Sequence, residues 1–197
     1  MTRIDEDSEA GQSPPSLEAF ASERIVVLPL RLLEPGDAHQ WAAAIPDPVA
    51  FLSAADSAFA REAEARGLGA HWVGPATLAA ASRRNPTYAT DPFQIRAAEA
   101  VRRLERNSRG TLAEPVASQL RVIAGLHDTR YALIPVELGF VRVDDGSARA
   151  VLHLALVDVR RLQLQWSGDL HSDPSATLTP LVLTSLARRV ADLFVTR

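Results

Sequence analysis

The feature that most constrains the fold is a change of hydrophobic period near residue 131. Before it, apolar residues recur at helical spacings of three and four, as in Val49, Leu52, Ala55, Phe59 and Ala63. After it, Ala132, Ile134, Val136, Leu138 and Phe140 alternate with Leu133, Pro135, Glu137 and Gly139, the two-residue period of a strand covered on one face. A chain that carries both periods in successive blocks has to lay amphipathic helices against a sheet.

The helical block is punctuated. Residues 24–28 open it with Ile25-Val26-Val27-Leu28, a continuous β-branched and apolar run suited to a strand covered on both sides, and Pro29 limits its ladder. Residues 32–48 hold Glu34-Pro35-Gly36-Asp37 and Ile45-Pro46-Asp47-Pro48 and read as a long loop containing Trp41. The stripe from Val49 predicts a helix over 49–66, stopped by Gly67. His71-Trp72-Val73 reads as a second strand, and Thr77 to Arg84 as a short helix. Asp91 with Gln94 has capping-box spacing, with Pro92 at the first helical position, so a helix is expected from Pro92 to about Arg106. Thr111 with Glu114 repeats the signal before Val116, Leu120 and Ile123, a stripe closed by Gly125.

In the strand block, Asp144-Asp145-Gly146 is a hairpin turn signal. Ala148 to Val159 returns with Ala150, Leu152, Leu154 and Leu156 on one face. A third strand then sets Leu162, Leu164, Trp166 and Leu170 on a common face, and Thr179-Pro180 opens a last helix striped by Val182, Leu186, Val190 and Leu193. The expected fold is an α/β (α+β) sandwich: a mixed sheet with a C-terminal three-strand meander, helices packed on it and a C-terminal helix.

Composition sets the limits on function. With 197 residues, 47% of them apolar, a single domain over 24–197 can bury a full core without disulfides or a structural metal. There is no cysteine, which excludes thiolate metal sites and a cysteine nucleophile. Every basic residue is arginine, so a Walker A lysine and a Schiff-base lysine are excluded too. Residues 1–23 carry six acids against Arg3, contain Pro14-Pro15 and read as a flexible acidic leader. Over the remainder the charge is close to neutral, which argues against nucleic acid as a partner. No apolar run reaches the roughly 20 residues a membrane-spanning helix needs. An acidic start is unlike a signal peptide, so a cytoplasmic location stands as an alternative.

Chemical motifs are sparse. His39, His71, His127, His153 and His171 include no pair at helical i, i+4 spacing, and a zinc site is left only as a geometric possibility, for example His171 with Asp173. No G-x-S-x-G elbow occurs. Gly67-Leu68-Gly69 precedes a strand, whereas a dinucleotide fingerprint follows one. No cofactor is expected.

The order of elements resembles the periplasmic α/β module of the curli-secretion lipoprotein and the N-terminal domain of the Tol-Pal translocation protein. Arg24 to Leu30, Glu64-Ala65-Arg66-Gly67-Leu68, Arg130 to Val136, Leu154 to Asp158 and Leu164 to Asp169 carry the resemblance. It implies an envelope protein that serves as an assembly, scaffold or partner-binding unit, periplasmic or peripheral to a membrane, with a protein partner. The chain departs in having no lipid-bearing cysteine, and in Asp128-Thr129-Arg130 where a glycine is usual.

Candidate partner contacts follow. Trp41, Tyr88 and Phe93 lie in proline-bearing loops, either as exposed interface anchors or as plugs folded back into the core. Arg96, Arg102, Arg103, Arg106 and Arg109 form the densest cationic stretch, suited to an acidic partner or lipid phosphates, or to a solvated helix face with Glu99 and Glu105. The expected function is a non-catalytic structural or partner-binding subunit of a membrane-associated assembly. A small-ligand or carbohydrate-binding sensor domain, with the Trp41 loop as lid, and a hydrolase without a recognisable motif are the alternatives.

Overall fold

In a computed structural model, residues 16–34, 36–107, 110–143 and 146–195 are described. Five strands form one mixed sheet: β1 (Ile25–Val27), β2 (Trp72–Val73), β3 (Tyr131–Arg142), β4 (Ala148–Asp158) and β5 (Gln163–His171), in the order β2-β1-β3-β4-β5. β1 is parallel to both neighbours, and β3, β4 and β5 form the expected antiparallel meander. Asp144 and Asp145 of the first hairpin turn lie outside the described residues.

Helices cover both faces, which makes two cores. On one face lie α1 (His39–Ala43), α2 (Pro48–Ala65) and the C-terminal α6 (Pro180–Asp192); on the other lie α3 (Pro75–Arg84), α4 (Ala97–Glu105) and α5 (Val116–Leu126). Chain order accounts for this. β1 connects to β2 in one direction along the sheet and β2 returns over β1 to β3, so two right-handed crossovers must lie on opposite faces. α2 starts on its own cap: the Asp47 carboxylate accepts from the Val49 and Ala50 amides at 3.0 Å, with Pro48 at the first position. It and α6 run side by side, tied where they end by Arg66, whose guanidinium donates to Glu62 and Asp192.

Two bulges alter the expected facing. In β3, Pro135 pairs with Leu154 and Glu137 with His153, which leaves Val136 as an extra residue. Ala132, Ile134 and Val136 therefore join the α3–α5 core, whereas Leu138 and Phe140 join the α2–α6 core. β5 does the same at Gln165: Leu156 pairs with Trp166, but Val157 with Leu164. Leu162 and Leu164 thus pack on the opposite side from Trp166 and Leu170, correcting the single face read from their even spacing. Alternation predicts a face only while no residue is inserted.

Other boundaries move for local reasons. The helix expected from Pro92 is a 3-10 turn, Pro92–Gln94, followed by extended Ile95; Asp91 does cap it through the Phe93 amide at 3.0 Å, but α4 begins only at Ala97. Gly125 lies inside α5 instead of closing it, and Glu114 accepts from the Ser118 amide at 3.1 Å in place of a box with Thr111. Val49 is exposed on α2, apart from the stripe of Leu52, Ala55, Phe59 and Ala63. The loop after β1 is strapped to β3: Glu34 donates to Leu138, Leu138 to Leu32 and Asp37 to Phe140 through backbone bonds. Gly36 at φ +60° makes this approach possible, because a Cβ there would stand 1.9 Å from the Phe140 carbonyl oxygen.

Trp41, expected in an open loop, is a core residue. Its ring is 2% exposed on α1 and meets Phe140 edge-on at 5.5 Å. The short α1 turns the indole inward, where its large apolar area outweighs the unpartnered indole nitrogen. The packed chain also begins earlier than residue 24. Leu17 is buried and donates its amide to the Leu193 carbonyl at 2.7 Å, and Phe20 stands edge-on to Tyr131 at 5.0 Å. Residues 1–15 of the expected leader lie outside the described residues.

The β4–β5 turn is closed by Asp158, whose side chain is fully buried. Burial raises its pKa, but the Arg130 hydrogen bonds and charge together with the Arg160 and Arg161 amides outweigh that and hold it below the usual carboxylate range.

Two stability measurements check this packing. Leu17→Ala should lower the unfolding free energy by about 2–4 kcal/mol in denaturant melts; an unchanged midpoint would place residues 17–20 outside the cooperative unit. Leu154→Asp, which puts a carboxylate at a 1% exposed position on β4, should cost about 4 kcal/mol or more.

Candidate functional site

α4 divides its side chains three ways. Ala97, Val101 and Leu104 are buried in the core over the sheet. Arg102 and Glu105, one turn apart, face the outer half of the meander, and Arg96 and Arg103 face away toward α5.

That outer half is polar because of the Val136 bulge. Past it, β3 presents Glu137 on the α4 side, opposite His153 of β4, which in turn lies opposite Asp169 of β5. Arg102 forms an ion pair with Glu137. His153 stands between two carboxylates, Nδ1 at 2.6 Å from Asp169 Oδ1 and Nε2 at 2.7 Å from Glu105 Oε1. A carboxylate only accepts, so both ring nitrogens must donate, and the imidazole is held as imidazolium. Burial pushes its pKa down, but the two hydrogen bonds and the charges of Asp169 and Glu105 outweigh it, and the pKa is raised above the ordinary histidine value. With both nitrogens engaged, neither is open to take a proton from a nucleophile, so this Glu-His-Asp set tethers α4 to the sheet. Among the described residues no group of three or more His, Asp and Glu side chains is arranged to hold a metal ion. His171 lies beyond the cluster near Arg149, and burial followed by the Arg149 charge lowers its pKa.

Between α4 and the start of α5 runs an open cleft of about 550 Å³. Arg96 and Arg103 line it together with Gln94, Asn107 and Gln119, and with two acids, Glu99 and Glu114. Glu114 is engaged by the Ser118 hydroxyl and amide, which lower its pKa. Arg96 and Arg103 are exposed and form no ion pair with another described residue. Phe93 directly precedes the cleft, 37% exposed, with the Arg31 guanidinium over its ring at 5.8 Å. Tyr88 is 58% exposed and donates its hydroxyl to Asn85 at 2.6 Å.

The structure thus brings Arg96 and Arg103 to one cleft, and leaves Phe93, Tyr88 and Arg106 exposed outside its lining. It removes two of the expected contacts. Trp41 is core on the opposite face, and Arg102 turns inward to Glu137, since helical spacing places it one position off the outward row. Arg109 lies outside the described residues. Sequence reasoning missed the His153 cluster, because its members come from three elements; the available signal was Glu105 one turn beyond Arg102 and His153 on the outward row of β4.

No protein-family model matches this chain, and no curated protein matches its sequence. Among solved structures it is similar to the PelC dodecamer from Paraburkholderia phytofirmans, at 16% identity over 94% of this chain and 96% of that one, with a TM-score of 0.47. It is also similar to the lipoprotein GNA1162 from Neisseria meningitidis, at 18% identity over 86% of this chain and 96% of that one, with a TM-score of 0.41. The LpoB C-terminal domain from Escherichia coli has 14% identity over 79% of this chain and 94% of that one, with a TM-score of 0.36.

The tether makes a pH prediction. A histidine whose folded pKa is raised contributes stability that is complete below its unfolded pKa, about 6.5, and is lost as pH rises through the folded value. The difference in thermal midpoint between the wild type and His153→Gln should therefore be largest near about pH 6 and shrink by about pH 9. A difference that does not change with pH would show that His153 is not held charged.

Proposed function

We propose that this chain is a non-catalytic, partner-binding subunit of a membrane-associated assembly of the cell envelope, and that the α4–α5 cleft grips an acidic segment of a protein partner. The observation that carries the reading is the pair of exposed arginines, Arg96 and Arg103, unpaired among the described residues and lining one cleft, with the exposed Phe93 next in the chain to its lining residue Gln94. Guanidinium forks bind carboxylates bidentately, and an aromatic beside them supplies contact area at small entropic cost. Arg106, next to the cleft residue Asn107, and Tyr88 are exposed as well. The resemblance in element order to periplasmic secretion and translocation modules supports the envelope setting. No helix among the described residues is long and apolar enough to cross a membrane.

A second reading has one observation in its favour: about 550 Å³ lies within the range of small-ligand sites, and Gln94, Asn107 and Gln119 could orient a polar ligand such as a sugar acid. The lid it was expected to have is absent, since Trp41 is buried.

Site-specific photo-cross-linking in envelope fractions separates the readings. A cross-linker at position 107, exposed in the cleft beside Arg103, should yield one protein adduct, lost at high salt and reduced about tenfold or more by Arg96→Glu, whereas one at position 61, exposed on α2, should not. An adduct from position 61 alone, or one from position 107 that is indifferent to Arg96→Glu and to salt, would sink the cleft as the partner site. Loss of the adduct on adding a small acidic sugar would favour the second reading.

A further inference from the structure

On the opposite layer, a cavity of about 210 Å³ opens between α2 and the edge strand β2. Val27, Phe59 and Ala63 form a buried apolar floor, Trp72 a half-buried wall, and Ala60 and Glu64 the exposed rim. Val27 ends β1, and Gly74 and Pro75, also lining the cavity, follow β2. β1 leads into helices on one face and β2 into a helix on the other, so the cavity lies at a topological switch point, where open α/β sheets leave a crevice beyond adjacent strand ends.

One titratable group reaches inside. Asp56 of α2 accepts the Leu30 amide at 3.0 Å, and that amide is its sole hydrogen-bond partner among the described residues. Burial pushes its pKa up to about 7 against the lowering effects of the Leu30 bond and the Arg31 charge. Arg31, the cation within electrostatic reach, is stacked over Phe93 and forms no ion pair with Asp56. Around the carboxyl the cavity carries one other charge, Glu64, also negative. Apolar floor, aromatic walls and carboxylates without a cation are complementary to a cation with a hydrocarbon stem. The volume is below the roughly 300–1,000 Å³ of drug-sized sites, which limits the occupant to about the size of a side chain.

We propose that this cavity binds a primary ammonium group on a short aliphatic stem, the chemistry shared by a small alkylamine and a lysine side chain, with Asp56 as counter-ion and Trp72 and Phe59 beside the stem. Glu64 at the rim adds to the field that draws the cation in, and Arg31 opposes it.

The test is a titration of the full chain, followed through backbone amide resonances, with n-butylammonium, n-butanol and n-butyrate as separate probes. The ammonium should shift the Leu30, Gly69 and Gly74 amides at millimolar concentration, with the alcohol and the carboxylate weaker by about tenfold or more. Because binding needs the ionised carboxyl, affinity should fall about tenfold between about pH 8 and about pH 6. Asp56→Asn keeps an acceptor for Leu30 and should abolish the shifts. Ala60→Leu, which narrows the mouth without touching the charge, should weaken them if Asp56→Asn fails to fold. Nα-acetyl-lysine amide binding more tightly than n-butylammonium assigns the site to a polypeptide lysine; the reverse assigns it to a free amine. Equal binding of butanol, no response at these amides, or full binding by the folded Asp56→Asn variant would overturn the proposal. None of these outcomes depends on the α4–α5 cleft.

Discussion

The rest of the structure depends on how β3 changes sides at Val136. Its first half is flanked by β1 and β4 and covered by helices on both faces, so every side chain from Tyr131 to Val136 is buried. Without the inserted residue, strict alternation would carry the Ala132, Ile134 and Val136 row onto Leu138 and Phe140 and leave those two on the less covered α4 side. The bulge turns them toward α2 and α6. It thereby places Glu137 on the α4 side, level with His153 and Asp169, and charge pairs there add to the buried Val101 and Leu104 in holding α4.

What the sequence made legible follows from the same point. α1 falls where the sequence reads as loop, and the turn at Pro92 where it reads as the start of a helix, but the order of the strands and of the longer helices was readable because each carries its own period. So were Leu52, Leu120, Leu154 and Leu186 as core positions, because each sits inside an uninterrupted run. Facing beyond Val136 and Gln165 was not, since a bulge leaves no compositional mark when the inserted residue is an ordinary valine or glutamine. The fate of Trp41 was open for a related reason. One short helical turn decides whether the indole meets Phe140 or water, and five residues carry too little periodicity to show it. Arg96 and Arg103 were recognisable as surface cations, but Arg102 was not distinguishable from them until Glu137 was placed on the facing strand.

The polar tether and the cleft share α4, which links packing to function. Arg102 and Glu105 fix its inner side, and with Val101 and Leu104 buried between them and the cleft the helix has little freedom to rotate. Arg96 and Arg103 are thus presented on a fixed scaffold, which would leave less conformational entropy to be lost on binding the acidic segment proposed above. The arrangement is ionic where a hydrophobic contact could have served, and it ties the position of the cleft to the protonation of one imidazole.

The absence of lysine bears on the other layer as well. A guanidinium is broad, planar and weakly hydrated, so it stacks: Arg31 over Phe93 and Arg130 over Tyr131. It pairs with carboxylates at strand ends and helix flanks, where a fork has room, as Arg130 does with Asp158 and Arg66 with Asp192. Asp56 faces a cavity of side-chain width between α2 and β2, and the nearby guanidinium is occupied by an aromatic ring. A compact ammonium would fit that space better than a fork, yet none of the lysine side chains that would carry one is present in this sequence.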